Sequence, residues 1–177
     1  MRLLRGTKGL PELASGVALT IGNFDGVHRG HQALLSELRL DAARLGLPTL
    51  VVIFEPQPSE YFYGAAAPAR LMSRREKLIY LARSGIDYVY CFSFNQVLAS
   101  MSAEIFAERF IFSFFRAKYI LIGEDFRFGR ERMGDVALLR ACSARWRCTV
   151  QTCRDFLDTY VRVSSTYIRC VLAKGDL

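Results

Sequence analysis

The sequence lacks any hydrophobic run approaching the roughly 20 apolar residues that a membrane-spanning helix needs. The apolar run from Phe110 to Phe115 is too short, and Arg109 and Arg116 flank it. The first 13 residues contain early arginines but not the apolar centre of a secretory signal peptide. We therefore expect a cytoplasmic protein that has no membrane partner.

Cysteine motifs and long basic runs are also missing. The five cysteines are odd in number and form neither a C-x-x-C pair nor a zinc-binding spacing, which favours free thiols in a reducing compartment. The net charge of +7 indicates an anionic partner, which composition alone does not identify as nucleotide, nucleic acid or membrane surface. No run of five or more Lys or Arg is present, so we expect no nucleic-acid partner.

What the sequence does contain is an alternation of strand-like and helix-like segments, with 51% hydrophobic residues to fill a core. Strands are predicted at 17–21, 48–54, 86–92, 118–122 and 148–152. Helices are predicted at 29–45, 73–82, 103–115, 135–142 and from 164 or 165 to a stop at Gly175. Between Pro56 and Pro68 we predict a long loop, because prolines oppose regular structure. The pattern predicts a single domain over residues 1–177. Its class is α/β, Rossmann-like and doubly wound, with a mainly parallel sheet of about five or six strands and helices on both faces.

The segment from Gly22 to His31, G-N-F-D-G-V-H-R-G-H, follows the first predicted strand and opens a helix. Its two histidines, His28 and His31, are three residues apart and would share a helix face. Gly30 lets a ligand approach the backbone closely. Free N–H groups at a helix start favour anions, and imidazoles can donate to phosphate oxygens. A capped turn with two surface histidines and a metal-binding pair remain as alternatives.

A second polar segment, R-V-S-S-T-Y-I-R from Arg162 to Arg169, opens the last predicted helix. Its adjacent hydroxyl groups and N–H groups suit a second phosphate site. Arg169 lies one turn beyond Thr166 and can reach the same anion, and arginine can grip phosphate with two hydrogen bonds. The alternative is an ordinary helix cap followed by an arginine that faces solvent.

The H-x-G-H string resembles the signature of the nucleotidylyltransferase superfamily. The full string from Gly22 to His31 is similar to the adenylyltransferase module of bacterial FAD synthetases, the bifunctional riboflavin kinase/FMN adenylyltransferases. The late segment resembles the S-S-T-x-x-R motif of the superfamily. This resemblance implies transfer of AMP from ATP to FMN, forming FAD and pyrophosphate. It implies that catalysis falls to His28, His31 and Arg169. It implies that ATP is bound by Gly22, Asn23, Phe24, Asp25, Gly30, Arg162, Ser164, Ser165 and Thr166.

The acceptor side is predicted at the segments after the second and fourth predicted strands, F-E-P-Q-P from Phe54 and G-E-D-F-R-F-G-R from Gly123. A flavin ring needs a flat apolar slot with a few polar groups at its edge. The resemblance implies that flavin is bound by Phe54, Pro56, Pro58, Phe62, Phe106, Asp125 and Phe128. Core packing is the alternative for Phe106 and Phe128. The family often has histidine where this chain has Gln57.

The resemblance covers residues 18–177. We expect residues 1–177 to contain no part of the riboflavin kinase module that normally follows in this family, and we expect no kinase activity from them. The sequence shows no paired nucleophile and base, so we expect direct in-line attack without a covalent intermediate. Mg²⁺ should arrive with ATP and be held mainly by the phosphates, with no metal ligand from the chain. Two other functions stay open: an adenylyl- or cytidylyltransferase with another phosphorylated acceptor, or a nucleotide-binding module without catalysis.

Overall fold

A computed structural model describes residues 1–6, 13–154, 156–158 and 161–175 of the chain. Its main sheet has six strands, all parallel, in the order β1-β4-β3-β2-β5-β6. These strands are β1 (Arg2–Leu4), β2 (Val17–Ile21), β3 (Thr49–Glu55), β4 (Tyr88–Ser93), β5 (Ala117–Gly123) and β6 (Thr149–Cys153). A separate antiparallel pair follows, β7 (Leu157–Asp158) with β8 (Val161–Arg162). The predicted Rossmann-like α/β fold is confirmed.

The helices of the described residues alternate with the strands along the chain, and the last helix follows β8. They are α1 (Arg29–Leu45), α2 (Pro58–Tyr63), α3 (Arg74–Arg83), α4 (Gln96–Ala99), α5 (Ala103–Phe106), α6 (Val136–Ser143) and α7 (Ser165–Lys174). The α5 helix continues as a π-helix over Ala107–Phe114, so the predicted helix at 103–115 exists but changes its hydrogen-bonding pattern. Short 3₁₀ turns cover Gly64–Ala66, Arg130–Arg132 and Ala144–Trp146. No helix in the described ranges is both long and apolar enough to cross a membrane.

Several predicted helix ends are confirmed by their caps. The Ser73 hydroxyl accepts from the Glu76 N–H at 3.2 Å, and the Glu76 carboxylate accepts from the Ser73 N–H at 2.8 Å, which completes a capping box. The Asp135 carboxylate accepts from the Leu138 N–H at 2.8 Å and starts α6. Gly46 ends α1 in the left-handed region, with φ 64°.

The predicted long loop at 56–68 is wrong in part, because it contains α2 and the turn Gly64–Ala66. Proline is tolerated at the first position of a helix, where its missing N–H leaves no bond unmade, and Pro58 occupies that position. The Arg70 guanidinium then fastens the segment, donating to Glu55 at 2.5 Å and to Glu60 at 2.6 Å. Strand β1, helix α4 and the β7–β8 pair were not predicted, since each is too short to show a hydrophobic period.

Both faces of the sheet are covered. On one face, Leu19, Val52 and Ile120 pack against the α5–π-helix segment and α6. On the other, Ala18, Val51 and Leu121 pack against the buried residues of α1 and α3. The chain leaves β2 toward β3 on one side, whereas β5 and β6 lie on the other side. This reversal opens a crevice at the carboxyl ends of the strands, where ligands bind in such sheets.

Candidate active site

A cavity of about 810 Å³ lies at the carboxyl edge of the sheet. Its walls come from the segments that follow β2 to β6 and from the starts of α1 and α7. The predicted residues that line it are Gly22, Asn23, Phe24, Asp25, His28, Gly30, His31, Phe54, Pro58, Phe62, Phe106, Asp125, Phe128, Ser164, Ser165 and Thr166. Pro56 and Arg169 are not among the lining residues, and the side chain of Arg162 lies outside the described residues.

The loop between β2 and α1, residues 22–28, is tightly folded. Phe24, Gly26 and Val27 have φ values of 48°, 84° and 34°, all in the left-handed region. That region is rare for a β-branched residue such as valine. Phe24 and Val27 are buried in the core that α1 and α3 cover, and this packing holds the loop in its strained shape.

The two histidines meet at the start of α1. His28 is the N-cap residue, and its Nδ1 accepts from the His31 N–H at 3.4 Å. The two imidazole rings stack with centroids 3.7 Å apart, and the Phe24 ring lies 4.9 Å from that of His31. The predicted proximity is therefore found, although His28 caps the helix and is not part of it. The stacked His28 ring and the tilted Phe24 ring together restrict the orientation of the His31 ring.

His31 is uncharged at neutral pH. Burial, together with the nearby charges of His28 and Lys77, lowers the pKa of His31 from 6.5 to about 3. Its Nδ1 is buried and has no hydrogen-bond partner within the part of the chain that the structure describes. A neutral imidazole still offers one N–H donor, so His31 can contact a phosphate through a hydrogen bond but not through a positive charge.

The second polar segment, at the start of α7, lines the same cavity as the two histidines. The Ser164 hydroxyl caps α7 by accepting from the Tyr167 N–H at 3.1 Å. The Ser165 hydroxyl donates to the Asp25 carbonyl at 2.8 Å, across 140 residues of sequence. At Gly30, a Cβ atom would lie 3.2 Å from the Val163 carbonyl oxygen, so glycine permits this close approach. The starts of α1 and α7 thus form one continuous surface, called here the polar wall (residues 22–31 and 164–166).

Asp25, a residue of this wall, pairs with Arg169, which does not line the cavity. Asp25 is only 2% exposed, and its carboxylate accepts from the Leu71 and Met72 N–H groups at 3.1 and 3.4 Å. The Arg169 guanidinium forms an ion pair with the same carboxylate and donates through Nε to the Ala69 carbonyl at 2.6 Å. As placed, both side chains join the β2–α1 loop to the segment before α3, so the structure adds a supporting role that the sequence had not indicated.

Lys77, which the sequence analysis did not single out, contacts the β2–α1 loop from outside the cavity. It is 1% exposed, and its Nζ donates to the Asn23 carbonyl of the β2–α1 loop at 2.6 Å. The available signal was its spacing: Lys77 precedes Leu81 by four residues and shares the buried side of α3 with it. A lysine on the buried side of a helix requires a partner, because an unpaired charge is costly to bury.

The opposite side of the cavity, the aromatic wall (Phe54, Phe62, Phe94, Phe106 and Phe128), is apolar. Phe62 on α2 is 58% exposed. Phe94 was not predicted as a site residue. It directly follows β4, at the carboxyl edge of the sheet where ligands bind in folds of this kind, and that position was the available signal. Its ring lies 5.8 Å from the Phe54 ring and 5.8 Å from the Phe62 ring, with edges meeting faces.

Phe106 and Phe128 combine the two roles that the sequence left open. Both are buried in the core, with ring centroids 6.1 Å apart, and both line the cavity. Asp125, also predicted for this side, is exposed and lines the cavity. Gln57, between Pro56 and Pro58, is buried, and within the described residues its Nε2 has no partner.

Among the residues that the structure describes, no group of three or more His, Cys, Asp or Glu side chains could hold a metal ion. A doubly wound parallel sheet with helix starts at its carboxyl edge is an arrangement in which α/β domains bind nucleotides and other anionic ligands. A family profile described as FAD synthetase matches residues 10–167, and the chain belongs to that family.

Curated relatives cover the entire chain. It is 45% identical over 177 residues to a bifunctional riboflavin kinase/FMN adenylyltransferase of Haemophilus influenzae, covering 100% of this chain and 58% of that protein. The protein of the same name from Escherichia coli K12 is 43% identical over 178 residues, covering 100% and 57%. The chain therefore spans a little over half the length of these relatives. A crystal structure described as a macrolide-efflux protein from Streptococcus pneumoniae shares the fold, with TM-score 0.84, 25% identity and coverage of 99% and 59%.

Proposed function

We propose that this chain transfers AMP from ATP to FMN, giving FAD and pyrophosphate. An oxygen of the FMN phosphate forms a bond to the α-phosphorus of ATP. The bond from that phosphorus to the bridging oxygen of the β-phosphate breaks, and pyrophosphate leaves with the electron pair. Such a transfer mainly requires positioning and charge stabilisation.

The convergence of the starts of α1 and α7 on one cavity is the observation that carries the proposal. A triphosphate needs donors along several ångströms of its length, and the polar wall offers two helix starts side by side. The Ser165 hydroxyl bond to the Asp25 carbonyl, at 2.8 Å, holds these helix starts together.

On the polar wall, each group has a distinct role in the proposal. His28 and His31 donate hydrogen bonds to the α-phosphate as charge gathers there. The hydroxyl groups of Ser164 and Thr166 and the N–H groups of Ser165 and Thr166 hold the leaving pyrophosphate, while the Ser165 hydroxyl keeps its bond to the Asp25 carbonyl. Arg169 supports this site through Asp25 and would reach the pyrophosphate only by exchanging its present partners.

The aromatic wall supports FMN as the acceptor. A flavin ring is flat, largely apolar and polar at its edge, and it can lie against Phe62 and Phe94 with Asp125 close to the same cavity. Mg²⁺ would enter as part of the ATP substrate and be held mainly by the phosphates.

The test is incubation of the protein with ATP, Mg²⁺ and FMN, followed by chromatography for FAD and an assay for pyrophosphate. We expect both products in equal amounts, and none when FMN is omitted. Parallel reactions would contain riboflavin, nicotinate mononucleotide, phosphopantetheine or glycerol phosphate. If product forms with one of these compounds but not with FMN, that compound replaces FMN as the proposed acceptor. If no pyrophosphate forms with any acceptor, the proposed adenylyltransferase activity is rejected.

A further inference from the structure

We propose that Lys77 is a positioning residue for this reaction: it fixes the β2–α1 loop from behind and turns the Asn23 carbonyl away from the nucleotide. The inference rests on the proposed function, because it assigns the loop to ATP. Lys77 belongs to neither motif that the sequence suggested for ATP, and it does not line the cavity.

The geometry places Lys77 directly beneath the polar wall. Its Nζ donates to the Asn23 carbonyl at 2.6 Å, while Asn23 itself is exposed and lines the cavity. A carbonyl oxygen that is bound to an ammonium group inside the protein cannot face the cavity. The negative end of this peptide dipole is thereby kept from any phosphate that binds there.

The cost of burying Lys77 indicates that packing alone does not explain it. Burial lowers the pKa of Lys77, whereas the carboxylates of Asp25 and Glu55 oppose that change. The other charged or titratable groups that act on it are Arg70, which lowers its pKa, and the Cys91 thiol, which raises it. An apolar side chain of similar length would fill the same space without the cost of removing a charge from water.

Lys77 also acts on the histidine pair. Its charge is one of the three causes that lower the pKa of His31, after burial and the charge of His28. A buried cation behind the loop therefore helps to keep the His31 imidazole neutral. It also adds a positive potential beneath an anion-binding surface.

The experiment compares Lys77→Met, which keeps the length and removes the charge, with Lys77→Gln, which keeps a hydrogen-bond donor. Lys118→Met is the matched control, since Lys118 is exposed and lies near the amino end of β5, at the opposite edge of the sheet. ATP and FMN binding are measured separately by calorimetry, after circular dichroism has verified folding.

For Lys77→Met we expect ATP affinity to fall by about 10- to 100-fold, because a charge-assisted hydrogen bond is lost, while FMN affinity stays within about twofold. Lys77→Gln should lie between this variant and the wild type, and Lys118→Met should match the wild type. In the ligand-free protein, NMR titration should show a higher pKa for His31 in Lys77→Met. The chain has only two histidines, so their signals are easily assigned.

Unchanged ATP affinity in folded Lys77→Met would overturn the proposal. An equal loss of ATP and FMN binding, or failure of both Lys77 variants to fold, would make Lys77 a structural residue and would also overturn it. The proposed function is judged separately, on FAD formation by the wild type. If the wild type makes no FAD but Lys77→Met still loses ATP affinity selectively, the positioning role stands and the proposed reaction fails.

Discussion

The two walls of the cavity are built on opposite principles. The polar wall consists of helix starts and a strained loop, and its shape is held by the buried carboxylate of Asp25, by the partly buried Arg169 that pairs with it, and by the buried Lys77. The aromatic wall consists of rings, of which Phe62 is more than half exposed while Phe106 is part of the core. One wall is fixed by hydrogen bonds and ion pairs, and the other by apolar packing.

This difference predicts which wall tolerates amino-acid substitutions better. Negative charge on a phosphate is stabilised by hydrogen-bond donors that are already oriented toward it. A small displacement of the polar wall would therefore remove much of this stabilisation. An aromatic ring contacts its ligand over a broad area, so the loss of one exposed ring removes only part of the contact. Substitutions should therefore affect catalysis and stability most at the polar wall, and binding alone at the exposed rings of the aromatic wall, such as Phe62.

The largest effect is expected for His31→Ala, which removes a donor at the predicted α-phosphate position. We expect kcat for FAD formation to fall on the order of 10²–10³-fold, as for loss of one preorganised donor. Steady-state assays measure this, and circular dichroism verifies the fold. Ser36→Ala, at an exposed position of α1, is the control. A kcat for His31→Ala within twofold of the wild type would remove His31 from the catalytic set.

Next in size is Asp25→Asn, which tests whether the polar wall is held from behind. The variant loses the ion pair with Arg169 and places an NH₂ group or a neutral oxygen against the Leu71 and Met72 N–H groups. We expect the free energy of unfolding to fall by about 3 kcal/mol, as when a buried pair loses one partner. Urea denaturation measures it, with exposed Glu37→Gln as control. Equal midpoints for Asp25→Asn and the wild type would contradict this account of the wall.

The pH dependence of stability should show the burial of His31. In the unfolded chain His31 titrates near 6.5, whereas in the folded protein its pKa is about 3. Between these values the unfolded state binds a proton that the native state does not, so stability is lost as pH falls from 6.5 toward 3. We expect this loss to be roughly 1–3 kcal/mol after allowance for partial exposure.

His31→Gln should abolish that part of the pH dependence. Urea unfolding at pH 7, 5 and 4 for the wild type and for His31→Gln isolates it, because all other titrating groups are common to both proteins. Parallel curves for the two proteins would mean that His31 titrates normally in the folded state.

The smallest effect is expected for Phe62→Ala on the aromatic wall. FMN affinity should fall by about 3- to 10-fold, the value of one lost stacking contact, while ATP affinity is unchanged. Stability should change by less than about 0.5 kcal/mol, because the ring is largely exposed. Fluorescence titration with FMN measures the change. Tyr80→Ala removes an exposed aromatic ring that does not line the cavity and serves as control; an equal loss there would show that the effect is not specific.

Some residues of the cavity were predicted from the sequence, and others were not. The two polar segments, with His28, His31 and Ser164 to Thr166, were predicted because they follow or open regular elements, and they line the cavity. Phe94 was missed because only the segments after the other strands drew attention. Lys77 was missed because its importance depends on a contact with Asn23, 54 residues away in sequence.

The amino-acid sequence by itself determined the alternation of strands and helices, the helix caps and the polar segments, because hydrophobic period and capping are local properties. Tertiary structure alone decided that Asp25 faces Arg169, that Lys77 lies under Asn23 and that the pKa of His31 is low. These features depend on the packing of α3 and α7 against the β2–α1 loop. The pairing of residues that are far apart in sequence, which sets the energy of a buried charge, has no signature in local sequence.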